Sequence, residues 1–167
     1  MRPTRQLRKE HELLRGKLAL LEHLLPLTQT SLAPARELTD AIALLLRCHV
    51  EEEAHLLEDL EECLDGPAKR AARHLPDVYV KQRRMLVALR ALLAEGDERL
   101  SYEITACALH LIASVRQQMG REDEELFWAI EGAMEPSQSE EITRRMREAS
   151  MRHRWQDEPP VAPACEL

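Results

Sequence analysis

The chain has 167 residues, a formal net charge of −7 and only 3% aromatic residues. This length suits one compact domain with its own core, and the acidic balance argues against non-specific nucleic-acid binding, which needs a basic surface. Leu, Ala, Glu and Arg dominate, which favours helices over sheet. No apolar run approaches the roughly 20 residues of a membrane span, and no apolar signal core follows the basic N-terminus. We therefore expect a cytoplasmic protein with no membrane partner.

Prolines and polar turns divide the chain into predicted helices. We expect Pro76 to interrupt one of them, so that the third long helix begins with Asp77 as its N-cap. The four long helices are joined by short turns, which predicts an all-α, up-and-down four-helix bundle. A short, mostly charged fifth helix follows. The helices are predicted at about 4–25, 35–64, 77–95, 98–133 and 139–153.

The domain organisation follows from these elements. The bundle with its fifth helix is expected to occupy residues 1–153 as one domain. Residues 154–167 form a Pro-rich tail that we expect to be disordered.

Each long helix must turn one apolar stripe inward, and alternating steps of three and four residues predict which positions lie on it. In helix 3 the predicted stripe is Val78, Gln82, Met85, Leu89 and Leu92. In helix 4 the residue after Glu122 on the stripe is either Leu126 or Glu125. All four stripes are apolar except at one group of positions, which we expect to meet inside the bundle. These polar positions are His11, His49, Glu53, Gln82, Gln118 and Glu122.

The polar positions form two similar halves. In the first half, His11 is followed on the next helix by His49 and Glu53, which are one turn apart. In the second half, Gln82 is followed in the same way by Gln118 and Glu122. Residues so spaced share a helix face and can grip one ion, and bundle cores build carboxylate and histidine metal sites in this way. A buried carboxylate without compensation costs several kcal/mol. Glu53 and Glu122 therefore need a cation, a proton or strong hydrogen-bond donors.

The segments that carry these residues resemble the hemerythrin-like, HHE-type cation-binding domains over about residues 5–150. "KEHELLRGKLALLEHL" is similar to the family's first-helix motif with His11 as ligand, and "LLRCHVEEEAHLLEDL" to the second, where His49 and Glu53 match a His-x-x-x-Glu pair. "KQRRMLVALRALL" and "QQMGREDEELFWAI" resemble the third and fourth. The resemblance implies iron as the metal, bridging glutamates, and the binding or sensing of O2, NO or iron.

The chain departs from the family pattern at two positions. The resemblance implies histidines where this chain has Gln82 and Gln118, and an amide oxygen is a weaker donor to iron than imidazole. Three interpretations stay open. The first, which we favour, is a single iron held by His11, His49, Glu53 and Glu122. The second is two ions, with the two glutamines or waters as extra ligands. The third is no metal, with the glutamine amides donating hydrogen bonds to the two glutamates.

Other chemistry finds little support in the sequence. No nucleophile with an adjacent base, phosphate loop or dinucleotide fingerprint occurs, so we do not expect an enzyme of acyl or phosphoryl transfer.

His55 and His110 lie next to the stripes and could serve as replacement ligands. A metal-free bundle could instead act as an interaction module, with the charged fifth helix and Trp155 as contact elements.

Overall fold

The computed structural model describes residues 2–156, except for the side chains of residues 59, 98 and 149–156. It is helical throughout that range, with no strand among the residues described. Short 3-10 turns join the helices, and a π-helical turn, Glu122–Leu126, leads from α4 into α5. No helix of the described chain is long and apolar enough to cross a bilayer. The helices are α1 (Pro3–Leu24), α2 (Ala33–Leu60), α3 (Gly66–Glu95), α4 (Ser101–Arg121), α5 (Phe127–Ala133) and α6 (Pro136–Gln156).

Neighbouring long helices run in opposite directions, because the contacts that cross each groove join early residues of one helix to late residues of the next. The topology is therefore up-and-down, as the sequence predicts. The pairs are Gln6–Glu52 and Glu10–His49 between α1 and α2, Arg36–Leu93 and Glu53–Tyr79 between α2 and α3, Tyr79–Glu122 and Gln82–Ser114 between α3 and α4 with its π-turn, and His11–Asp123 and Glu22–Arg116 between α1 and α4.

The interior contains two apolar clusters, with the polar positions between them in sequence. One cluster includes Leu14, Leu46 and Val115, and the other includes Leu7 and Leu56. Along α1 and α2, His11 and His49 each stand between a member of one cluster and a member of the other. α6 packs against α1 and α2 and adds its buried face to the second cluster. The polar group is therefore enclosed by apolar side chains above and below.

The prediction for the third helix is wrong at its start. α3 begins at Gly66 and continues through Pro76, so Asp77 is inside the helix and caps nothing. Proline removes one backbone donor, but Pro76 is exposed, while Ala72 and Leu75 are buried beside it. Tertiary packing supplies most of the stability of helices in proteins, and here it stabilises one helix through the proline.

This correction shifts the inward stripe of α3. With the helix continuous from Gly66, the buried positions continue through Leu75 to Gln82, Leu86, Leu89 and Leu93. The predicted Val78, Met85 and Leu92 are only partly buried, since each lies one residue off that stripe. The shift also places Tyr79 on the inner side, between Leu75 and Gln82.

The other boundaries differ less. The predicted fourth helix is one helical run that contains the π-turn, and within this turn Leu126 is buried and Glu125 is exposed. α6 is longer than predicted and extends to Gln156. The rest of the predicted tail, up to residue 167, lies outside the described residues.

Candidate metal centre

Three side chains from three helical segments converge in the interior. Nε2 of His11 lies 3.2 Å from Nε2 of His49 and 3.0 Å from Oε2 of Glu122. The same Glu122 oxygen is 3.5 Å from His49 Nε2. All three residues are at most 2% exposed. Two imidazole nitrogens and one carboxylate oxygen therefore face a common point, as the ligands of a metal ion do.

The far nitrogen of each imidazole is held by a carboxylate. Nδ1 of His11 lies 2.9 Å from Oδ1 of Asp123, and Nδ1 of His49 lies 3.1 Å from Oε2 of Glu10. A carboxylate accepts hydrogen bonds, so each ring carries a proton on Nδ1, and a neutral ring would turn its Nε2 lone pair toward the common centre. Metal-binding histidines are oriented in this way by outer-shell carboxylates.

The π-turn explains how α4 supplies carboxylates to both nitrogens of His11. In a regular α-helix, consecutive side chains point about 100° apart, yet Glu122 approaches Nε2 while Asp123 approaches Nδ1 of the same ring. The turn begins at these two residues, and π-turns within helices often mark functional sites. Phe127, directly after the turn, stacks on the His11 ring at a centroid distance of 5.3 Å.

The outer carboxylates have partners of their own. Arg15 donates to Oδ2 of Asp123 at 2.6 Å, and Arg8 donates to the Asp123 backbone carbonyl. Burial alone would raise the pKa of Asp123, but His11 and Arg15 outweigh it and lower that pKa. Glu10 behaves similarly, since His49 is the largest of the contacts that lower its pKa against the opposing effect of burial. Both carboxylates therefore remain charged acceptors.

The glutamine half of the predicted group is arranged differently. The Tyr79 hydroxyl contacts Glu53 and lies 3.1 Å from Oε1 of Glu122. Gln118 donates through Nε2 to the same Glu122 oxygen at 2.7 Å, while Gln82 turns its amide nitrogen toward Ser114 at 3.5 Å. Tyr79 and Gln118 therefore hydrogen-bond the acids, Gln82 hydrogen-bonds Ser114, and none of the three joins the converging ligand atoms.

Two carboxylate oxygens of the site accept no hydrogen bond from the described residues. Oε1 of Glu53 is one, and Oε2 of Glu122 is the other. The latter is 3.0 Å from His11 Nε2, a distance at which a proton on that nitrogen would reach it. A buried carboxylate oxygen without a donor is costly, and a cation at the common centre would satisfy it.

Electrostatics favour positive charge at this point. Burial alone would lower the pKa of His49, but Glu10 and Glu122 outweigh it and raise that pKa to about 10. Burial would raise the pKa of Glu122, but His11 and His49 lower it to about 2. Burial, followed by the charge of Glu122, raises the pKa of Glu53 to about 8. A metal-free site therefore takes up protons, and a metal ion would displace them.

The structure places the predicted residues as follows. His11, His49 and Glu122 form the converging group, and Glu53 stands beside it, across Tyr79. As a direct ligand, Glu53 stays a prediction. His110 is exposed and His55 lies beside Glu58, so neither belongs to the converging group.

Sequence reasoning missed three residues: Tyr79, Glu10 and Asp123. Tyr79 lies three residues before Gln82, and a helix continued through Pro76 would have placed it on the stripe. Glu10 and Asp123 each adjoin a predicted ligand in sequence. Their inward orientation depends on the α1–α2 groove and on the π-turn, and neither feature is visible in a stripe drawn with regular α-helical spacing.

Comparison with known proteins adds no assignment. No family model, curated protein or solved structure matches this chain.

Proposed function

We propose that this protein binds a single iron ion through His11, His49 and Glu122, in a bundle of the hemerythrin-like type. The observation that carries the proposal is the orientation of the two imidazoles. Carboxylates hold both Nδ1 protons, so both Nε2 atoms face one buried glutamate oxygen. With neutral rings, three acceptors at this separation repel one another unless a proton or a metal ion lies between them.

The donor set fits ferrous iron. Two imidazoles and one carboxylate with open positions are typical of Fe(II) sites that meet small gaseous ligands. When bound, the ion would supply an open coordination position for a ligand such as O2 or NO. The protein would then bind or sense such a ligand, or sense iron itself.

The residues around the proposed ion have separate roles. Glu122 offsets part of the charge of the ion, while Asp123 and Glu10 keep the imidazoles in the binding tautomer. Burial raises the pKa of Tyr79 well above its usual value, and the charges of Glu53 and Glu122 add to this effect. Tyr79 therefore stays a phenol that donates to the glutamates.

The contacts of the glutamines favour one ion over two. Gln118 presents an amide nitrogen to Glu122, and Gln82 presents one to Ser114, so both act as hydrogen-bond donors here. The buried Oε1 of Gln82 has no hydrogen-bond partner among the described residues, so it is the amide oxygen that a second ion could use. Gln118 commits its amide nitrogen to Glu122, and the two-metal interpretation therefore has less support.

The competing function is a metal-free bundle that serves as an interaction module. The hydrogen bond from Gln118 to Glu122 is the one that this interpretation predicts, whereas Gln82 makes no such bond to Glu53. α6, which we expected to contact partners, buries Ile142 and Met146 against the bundle instead. The side chain of Trp155 lies outside the described part of the structure.

Metal content decides between these functions. The protein would be purified anaerobically from iron-replete cells and its iron measured per chain, before and after addition of Fe(II). We expect about one ion per chain, because one set of lone pairs converges. Two ions would support the two-metal interpretation. No iron after Fe(II) addition, with no change in melting temperature on chelation, would establish the metal-free function.

A further inference from the structure

A small cavity of about 30 Å³ lies between α3 and the end of α4 with its π-turn. A water molecule needs roughly 10–15 Å³ of such space, so the cavity admits a ligand of one or two heavy atoms. Its lining residues come from both helices and from the candidate metal centre. They are Ala71, His74, Gln118, Arg121, Glu122 and Leu126.

The lining of the cavity includes both exposed residues and a residue of the candidate metal centre. His74 and Arg121 are exposed, whereas Gln118 is 8% exposed and Glu122 is 1% exposed. Glu122 is the one residue of the converging group that lines it. Gln118 Nε2 donates to Glu122 Oε1 at 2.7 Å, so these two buried lining residues are joined by a hydrogen bond.

Apolar packing surrounds the ligands on other sides. The Phe127 ring stacks on His11. The two apolar clusters contain neighbours of the ligands along each helix, among them Leu7, Leu14, Leu46 and Leu56. The cavity is a place where a residue of the converging group meets space for a small ligand.

We propose that this cavity is the passage through which a small neutral or anionic ligand reaches the metal centre, with Gln118 as its inner gate. The inference rests on the proposed function. The positive charge of Arg121 attracts anions and does not repel neutral molecules. The Gln118 amide can release Glu122 and donate to the incoming ligand, since an amide carries two N–H groups.

The test uses nitric oxide as a probe on the Fe(II)-loaded, full-length protein under anaerobic conditions. Ala71→Leu should plug the passage, and Ala41→Leu is its matched control, because Ala41 is also partly buried in a long helix but does not line the cavity. Stopped-flow absorbance gives the association rate. We expect Ala71→Leu to be about tenfold slower than Ala41→Leu, since packed interiors yield little to added bulk.

A second variant keeps the test decisive if Ala71→Leu fails to fold. Gln118→Ala removes the gate and should raise the association rate above that of the parent, with iron content unchanged. Equal rates in the parent and in Gln118→Ala, or in the two alanine-to-leucine variants, would overturn the passage while leaving the metal centre intact. A parent protein that binds no iron would overturn the proposed function as well, so the two failures are distinguishable.

Discussion

The two halves of the buried polar group occupy equivalent places in the bundle but make different use of their hydrogen bonds. In the histidine half, carboxylates from Glu10 and Asp123 hold the outer nitrogens of His49 and His11, and the inner nitrogens remain open. In the glutamine half, the donors point inward instead. Gln118 and Tyr79 hydrogen-bond the glutamates themselves.

The difference lies in where the acceptors and donors stand. Carboxylate acceptors outside the imidazoles occupy the outer nitrogens, so the inner nitrogens are free to meet a proton or a cation. Amide and phenol donors beside the glutamates satisfy one oxygen of each acid instead. Glu122 takes part in both arrangements, because it faces the imidazoles with one oxygen and accepts from Gln118 with the other.

The largest effect is expected from a substitution that removes this difference at a proposed ligand. His49→Gln gives the first half a glutamine like those of the second, so we expect measurable iron binding to disappear. Gln118→Ala is the comparison, and should leave affinity within about tenfold of the parent, at the low end of outer-shell effects. Calorimetric titration with Fe(II) measures the iron affinity of both variants. Equal losses in the two variants would contradict the asymmetry.

A smaller effect is expected from the outer carboxylate. Asp123→Asn weakens the acceptor that holds His11 in its binding tautomer, and should lower metal affinity about 10–100-fold. Asp77→Asn is the matched control, because Asp77 is 85% exposed. The same titration serves for both. Unchanged affinity in Asp123→Asn would mean that the π-turn does not orient the ligand.

The glutamine half should matter for stability even without metal. Tyr79→Phe removes the hydroxyl that contacts both glutamates, and we expect it to lower the free energy of unfolding by about 1–3 kcal/mol. Tyr102→Phe is the control. Tyr102 is 80% exposed, and surface changes stay within about 0.5 kcal/mol. Urea denaturation in the presence of chelator would measure both, and similar values would argue against a role for Tyr79.

The most gradual effect is the pH dependence of the metal-free protein. The pKa of His49 rises from 6.5 to about 10 in the folded state. Its contribution to the free energy of unfolding is therefore complete below pH 6.5 and is lost as pH rises through about 10. Raising the Glu53 pKa from 4.5 to about 8 has the same sign. Glu122 has the opposite sign, and its contribution disappears as pH falls through about 2. Stability should therefore be greatest in mild acid.

This dependence can be measured by urea unfolding of chelated protein at about pH 6 and about pH 9. The midpoint should be lower at the higher pH. His49→Gln should reduce the difference, whereas His110→Gln, at an exposed position, should preserve it. A midpoint that rises with pH would show that the buried site does not take up protons on folding.

The sequence was sufficient for the helical architecture and for the buried polar group, for an identifiable reason. Polar residues on otherwise apolar stripes are conspicuous, and spacing by one turn places His49 and Glu53, or Gln118 and Glu122, on one face. His11, Gln118 and Glu122 are buried as predicted. Local patterns of this kind need no knowledge of the neighbouring helices.

The errors arose where neighbouring helices decide the outcome. Pro76 carries a local signal to break a helix, which burial of Ala72 and Leu75 overrides. Glu10 and Asp123 take their roles from the helices they face, and the role of Tyr79 depends on the register of α3. Glu53 lies on its predicted stripe and is buried, yet the converging group does not include it. Such features are tertiary and leave no distinctive local pattern.

The π-turn also determines the angular phase of everything that follows it. An extra residue in one turn rotates the rest of the helix by about 100°, and the apolar residues from the end of the turn onward, Leu126, Phe127 and Ile130, are all buried. Deleting one residue from this turn would therefore turn Phe127 away from the core and from the His11 ring on which it stacks. The closure of one end of the bundle and the packing on the candidate ligand His11 thus depend on the same turn.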